Sequence, residues 1–261
     1  MKIGFIGTGN MGGALACAAA KTGAELYLYD RCAEKAEALA KQLGCRTASL
    51  DAMVGSCALV FLGVKPQVLP ELFSELQPLL PKAGSVTWVS MAAGVPIERI
   101  RAALQGAPVI RIMPNTPVGV GKGMVLYACA ENVTEAAAKA FLSALSEAGR
   151  LLELPEKLID AGCAVSGCGP AFVCMFAEAL ADGGVACGLT RAQANLLAAQ
   201  TLSGTAELLL QEGASPAALK DAVCSPGGTT IEGVLALEES GFRGAAMDAV
   251  IAAFEKAKIL S

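Results

Sequence analysis

With 261 residues, 54% of them hydrophobic, and a net charge of −4, the chain can bury a substantial core in one or two globular domains. The acidic balance, the 5% aromatic content and the lack of any basic block exclude a phosphate-tracking stripe or a base-stacking platform, so no nucleic-acid partner is expected. The chain has no histidine, which removes His-based triads, His-ligated zinc and the usual near-neutral general acid, and no metal site is expected.

Apolar residues do not run uninterrupted for about 18 positions, the length of a membrane span, so no membrane partner is expected. The start, Met1 to Ile6, reaches glycine before a signal core of about 7 to 15 apolar residues forms, and a cytoplasmic location is expected. Ten cysteines are scattered without a C-x-x-C pair, and most read as reduced core residues.

In chain order, Lys2 to Ile6 reads as a buried strand, followed at once by Gly7-Thr8-Gly9-Asn10-Met11-Gly12 and a helical pattern that ends at Gly23. Strand, G-x-G-x-x-G, helix is the dinucleotide fingerprint: one glycine for the turn, one to admit the pyrophosphate, one for close helix packing. A second strand, Glu25 to Tyr29, ends in Asp30, where the fingerprint places an acid for the adenosine ribose. Asp30 accepts from the ribose hydroxyls of NAD and repels a 2′-phosphate, whereas Arg31 beside it can pair with that phosphate or stand as a solvated loop charge. The two residues argue in opposite directions.

The alternation continues with a helix over 33–43, a short strand at Arg46-Thr47, and a buried strand over 58–64 that ends at Lys65-Pro66. Strands over 85–90 and 109–113 end in Met91-Ala92-Ala93-Gly94 and Pro114-Asn115-Thr116-Pro117. In an open α/β sheet these turns share the carboxyl edge where ligands lie. A helix from Thr134 through Leu145 and a strand over 151–154 close a first domain, 1–154, expected to be a Rossmann-like doubly wound sheet. From Pro155 the apolar spacing is helical: 158–163, 171–185, 192–210, 217–223 and 243–259, an all-α second domain over 155–261. Its helices are hydrophobic on more than one face, which predicts cover by another subunit.

Ser225-Pro226-Gly227-Gly228-Thr229-Thr230 interrupts that texture. Two glycines and two hydroxyls precede an apolar helical pattern over 231–237, so free amides gather at a helix start suited to a small carboxylate.

Taken together, the fingerprint, Val64-Lys65-Pro66, Met91 to Gly94, Met113 to Pro117, Ser166-Gly167-Cys168-Gly169-Pro170-Ala171-Phe172, Ala181 to Val185, Leu219-Lys220-Asp221 and Ser225 to Thr230 resemble pyrroline-5-carboxylate reductase along the whole chain. The resemblance implies reduction of 1-pyrroline-5-carboxylate to proline by NADPH, or by NADH as the alternative, in dimers or assemblies of dimers built through an all-α C-terminal dimerisation domain. It implies that Ile6, Gly7, Thr8, Gly9, Asn10 and Met11 hold the pyrophosphate, with Asp30 and Arg31 at the adenosine end. Val64, Lys65 and Pro66 would line the cofactor, and Ala92, Ala93 and Asn115 would lie toward its nicotinamide half. Ser225, Gly228, Thr229 and Thr230 would hold the substrate, with Thr230 hydrogen-bonded to the ring nitrogen as the catalytic residue. Cys168, Cys224 and Ala222 depart from the hydroxyl and amide residues usual in the family, and Asp30 from the usual uncharged one.

The alternatives are a β-hydroxyacid dehydrogenase-like oxidoreductase and a non-catalytic dinucleotide-sensing scaffold. The first calls for a catalytic lysine on the helix entering the second domain, and 162–178 contains none. Imine reduction needs a hydride from the cofactor and a proton on nitrogen; a protonated imine is already electrophilic, so the chemistry does not need histidine.

Overall fold

The structure, a computed structural model, describes residues 1–84 and 86–260, with Leu260 described by its backbone alone. By compactness the chain divides into one unit of residues 1–168 with 253–261 and a second of residues 169–252.

The first unit alternates strand and helix: β1 (Lys2–Ile6), α1 (Asn10–Lys21), β2 (Glu25–Tyr29), α2 (Ala33–Leu43), β3 (Arg46–Thr47), α3 (Leu50–Ser56), β4 (Leu59–Leu62) and α4 (Leu69–Leu76). It continues with β5 (Thr87–Ser90), α5 (Ile97–Ala103), β6 (Val109–Pro114), β7 (Gly123–Cys129), α6 (Glu135–Ala144), β8 (Gly149–Glu153) and α7 (Ile159–Ser166). Ser85, the expected start of the fifth strand, lies outside the described residues.

The strands form one sheet in the order β3-β2-β1-β4-β5-β6-β7-β8. Every pairing is parallel except β6 with β7. The expected doubly wound sheet is therefore present, with an antiparallel step that hydrophobic pattern does not announce. Chain direction across the sheet reverses between β1 and β4, the switch point where such folds bind ligands.

Successive strand residues face opposite sides, so each strand feeds two cores. Ile3, Phe5, Leu59 and Phe61 pack under α1, α2 and α6, while Ile6, Val60, Leu62 and Trp88 pack under α3, α4, α5 and α7. Phe5 and Phe61 stack at 4.5 Å across β1 and β4, a pair contributing about 0.5–1.5 kcal/mol beyond its area burial.

The glycines at the switch point are required by close approach. Gly7 has φ of +93°, and a Cβ on Gly63 would lie 2.6 Å from the Gly7 carbonyl oxygen. A Cβ on Gly12 would overlap that same oxygen.

The division expected at Pro155 differs from the division by compactness, for a physical reason. Ile159 is fully buried in the core under the sheet. Arg111 on β6, 4% exposed, pairs with Asp160 at 2.7 Å and Glu156 at 3.4 Å, and Glu156 also accepts the Ile97 N–H at 2.6 Å. Buried charges hold only when paired, so this network keeps 156–168 with the sheet.

The second unit contains α8 (Gly169–Ala186), α9 (Arg191–Leu209), α10 (Pro216–Ala222), α11 (Thr229–Glu239) and the first part of α12 (Phe242–Leu260). A capping box between Thr190 and Gln193 starts α9, and Asp182 pairs with Arg191 at 2.6 Å across the α8–α9 turn. Only Ala181, Ala194 and Ala198 are fully buried there, while Met175 and Leu196 are 69% and 70% exposed.

The expectation for the cysteines is corrected, and a hydropathy average adds to the reading of the helical stretch that opens at Glu156. The helical stretch Glu156–Ala186 is, by length and composition, apolar enough to cross a membrane, with a window of mean hydropathy 1.5 that is 6% buried. Counting uninterrupted apolar residues misses it, because Gly167, Gly169 and Pro170 break the run without lowering the average much. The ten cysteines are free as expected, but Cys57 alone is buried and Cys32, Cys174 and Cys187 are exposed; small apolar size does not place a residue inside where its helix face or turn has no neighbour.

Gly12→Ala should push α1 off β1 and lower stability by about 1–3 kcal/mol, a fall in Tm of roughly 3–10 °C by calorimetry. An unchanged Tm would mean that the helix is free to move away from the loop.

Candidate active site

The carboxyl ends of β1, β4, β5 and β6 point to one edge, which is why their following turns gather there. At the switch point the Gly7 N–H donates to the Tyr29 carbonyl and the Gly63 N–H to the Ile6 carbonyl, both at 2.7 Å. These bonds lock the ends of β2, β1 and β4 into one floor.

Helix α1 rises from this floor with Gly9 as its N-cap, without a side-chain cap and without an acidic residue in its first turn. Its leading amides, at Asn10 and Met11, are therefore left without a side-chain acceptor, and the helix end carries partial positive charge. A Cβ on Gly9 would meet nothing within 4 Å. Open space over a bare helix start suits a diphosphate, so the residues present fit a dinucleotide.

A cavity of about 320 Å³ adjoins that loop. Of the residues expected at the cofactor, Ile6, Gly7, Gly9, Asp30, Arg31, Val64 and Lys65 line it; Thr8 is reached through Asp30. The Thr8 N–H and hydroxyl donate to Asp30 Oδ2 at 2.7 and 3.1 Å, and the Cys32 N–H donates to Oδ1 at 3.0 Å. Desolvation pushes the Asp30 carboxyl up, but the bonds from Thr8 and Cys32 and the charge of Lys35 outweigh it and hold the group below its ordinary value. Asp30 is thus an ionised anchor of the glycine loop.

Arg31 reaches Glu71 at 2.6 Å and Glu75 at 4.0 Å, both on α4. Its hydrogen bond to Glu71 raises the guanidinium's pKa. Sequence reading missed Gly63, Glu71 and Glu75. A lone glycine ahead of Val64-Lys65-Pro66 is the signal that could have found Gly63; the glutamates have none, because only the docking of α4 brings them beside β2.

Pro66 and Ala93 line a different cavity, of about 450 Å³, together with Gly94 and Arg99. Ala92 is 1% exposed, and its N–H takes the Ser90 hydroxyl as acceptor at 3.3 Å. Asn115 is engaged through its side chain: Nδ2 donates to the Ser166 carbonyl at 2.9 Å, and Oδ1 accepts the Met124 N–H at 2.8 Å. The amide ties the ends of β6 and β7 to the last turn of α7.

In the second unit, Ser225 to Gly228 forms a tight turn with Gly227 at φ of +67° and the Gly228 N–H donating to the Ser225 carbonyl at 3.0 Å. A Cβ on Gly228 would overlap the Ser225 hydroxyl. Helix α11 begins at Thr229 with Gly228 as an N-cap that offers no side-chain oxygen, so Thr229 and Thr230 present first-turn amides and exposed hydroxyls together. Cys168 and Cys224 are half-buried beside their own helix ends, their N–H groups donating to Cys163 and Asp221 carbonyls.

A doubly wound sheet with a glycine-floored switch point and an acid at the end of β2 is the architecture that dinucleotide-dependent oxidoreductases use to bind their cofactor. Comparison with known proteins gives the family. A model of coenzyme F420-dependent NADP oxidoreductases matches residues 2–94, and one of pyrroline-5-carboxylate reductase dimerisation matches residues 156–260. A pyrroline-5-carboxylate reductase 3 of Macaca fascicularis is 39% identical, covering 100% of this chain and 96% of that protein. The structure of a pyrroline-5-carboxylate reductase from Coxiella burnetii superposes with a TM-score of 0.92 at 30% identity, covering 99% of this chain and 98% of that one. That of the Plasmodium falciparum pyrroline carboxylate reductase with NADP bound gives 0.84 at 32% identity over the same shares. The chain belongs to the pyrroline-5-carboxylate reductase family.

Gly9→Ala should cost at most about 1 kcal/mol of stability, since its methyl enters open space and only the poorer helix cap is felt, yet weaken dinucleotide binding by roughly tenfold or more by occupying the diphosphate's place. Titration calorimetry beside a melting curve checks both halves.

Proposed function

We propose that this chain reduces 1-pyrroline-5-carboxylate to proline, the last step of proline biosynthesis, with NADPH as cofactor and NADH as the alternative. The observation that carries this reading is likeness along the whole chain to a pyrroline-5-carboxylate reductase. The dinucleotide floor of the first unit and the NADP-bound relative support the cofactor.

The nicotinamide supplies the hydride when bound. The chain's own residues have two tasks, to hold the dinucleotide and to hold the imine. Ile6 to Met11 take the diphosphate, with Asp30 and Arg31 at the adenosine ribose and Val64, Lys65 and Pro66 along the β4 side. Ala92, Ala93 and Asn115 belong to the nicotinamide half, where the small side chains permit close approach and Asn115 acts through its grip on Met124 and Ser166.

Ser225, Gly228, Thr229 and Thr230 hold the substrate. The leading amides of α11 neutralise the carboxylate, an arrangement of fixed dipoles that needs no reorganisation during the reaction. The Thr230 hydroxyl fixes the ring nitrogen, which carries its proton from solution, so a chain without histidine is sufficient. Thr230→Val should lower turnover by about 10- to 100-fold while dinucleotide affinity stays put, measured at the nicotinamide absorbance. Unchanged turnover would take Thr230 out of the chemistry.

The exposed apolar faces of α8 and α9 are covered by a second copy of the chain rather than by lipid, which the dimerisation match supports. The enzyme then works as a homo-oligomer in the cytoplasm, without membrane or nucleic acid. Light scattering on the purified chain should give a dimer or larger assembly without detergent, and Leu196→Glu should dissociate it. A wild-type monomer, or a chain kept in solution only by detergent, would defeat this.

A further inference from the structure

We infer that the adenosine corner of this chain favours the dinucleotide without a 2′-phosphate, binding NADH about tenfold more tightly than NADPH, and that Asp30, Glu71 and Glu75 set this preference. The inference rests on the reductase reading only in taking a nicotinamide dinucleotide as the ligand.

Asp30 closes one side of the 320 Å³ cavity, at the end of β2. A carboxylate offers about four acceptor positions, and Thr8 and Cys32 use three of them. The remaining one suits a ribose hydroxyl, which brings a proton to donate. A 2′-phosphate brings none, and adds charge of about −1.5 to −2 beside a carboxylate that Thr8 prevents from swinging away.

Three cations line the cavity and could offset that charge: Arg31, Lys35 and Lys65. Arg31 is engaged by Glu71 at 2.6 Å and faced by Glu75 at 4.0 Å, and Glu75 itself lines the cavity. The charge of Lys35 acts on Asp30. Lys65 follows β4 and lines the same cavity from the far side of β1. Counting Glu71, which pairs with Arg31, three carboxylates therefore stand against three cations, so the corner holds no net positive charge ready for a phosphate.

A unit charge facing roughly two like charges at about 5 Å in a water-exposed setting changes binding by about tenfold. NADPH still enters and serves the reaction; its grip is weaker. Sequence alone left Asp30 and Arg31 opposed, and the α4 glutamates weigh on the side of Asp30 by giving the exposed arginine competing carboxylates.

The test is titration calorimetry of the purified full chain with NAD and with NADP, on wild type, Asp30→Asn and the double variant Glu71→Gln/Glu75→Gln. Wild type should bind NAD about tenfold more tightly. Asp30→Asn should weaken NAD and strengthen NADP, closing or reversing the gap. The double variant, which releases Arg31 and removes a carboxylate from the cavity lining, should strengthen NADP severalfold and move NAD by less, so that the ratio falls. Equal or tighter NADP binding by wild type, or a ratio that the double variant does not shift, overturns the inference. Turnover of 1-pyrroline-5-carboxylate, assayed alongside, separates the two claims: activity with the opposite binding ratio defeats this inference alone, and the expected ratio without activity defeats the reductase reading alone.

Discussion

The carbonyl of Gly7 sits where no side chain can follow it. Gly12 presses on it from the first turn of α1 and Gly63 from the end of β4, and a Cβ on either would come closer than real Cβ atoms do. That crowding brings helix and strands near enough for the bonds from Gly7 to Tyr29 and from Gly63 to Ile6 to form. Once they form, three strand ends share one level, α1 stands over the gap with its amides bare, and Gly9 is left facing open space. The site is what remains above a backbone packed too tightly for side chains.

Charge is used sparingly around this floor. Asp30 is ionised because Thr8 and Cys32 donate to it, and the same bonds make it a strut of the loop rather than a free side chain. Arg111 plays the corresponding structural part in the core, joining β6 to 156–160 through two carboxylates. The two differ in exposure, and exposure decides their use: the buried arginine is spent on holding elements together, while the half-exposed aspartate retains an acceptor position for a ligand.

The second unit solves a different problem. A segment of four helices and part of a fifth, with three buried residues, has almost no interior of its own, and many of its leucines and methionines are exposed. Helices apolar all round fold stably only where more surface is supplied, and in this family that surface comes with dimerisation. Its glycine turn at Ser225 to Gly228 follows the same logic as the first loop on a smaller scale. Gly227 takes a left-handed conformation that other residues rarely adopt, Gly228 lies against the Ser225 hydroxyl, and the next helix starts without a side-chain cap.

Local physics was legible in the residue order. Period-two and period-3.6 patterns located β1, α1, β2 and α2 and the long C-terminal helices, and glycines at fixed offsets located both loops, because turn geometry and close approach depend on residues near in sequence. Tertiary structure decided what depends on distant partners. The antiparallel β7, the retention of 156–168 with the sheet by Arg111, the use of Asn115 as a tie between β6, β7 and α7, and the pairing of Arg31 with Glu71 all join residues that lie far apart along the chain or whose meeting depends on how a helix docks. Residue order states which groups are present and how each short stretch will bend; which charge meets which, across a sheet, is set only when the layers pack.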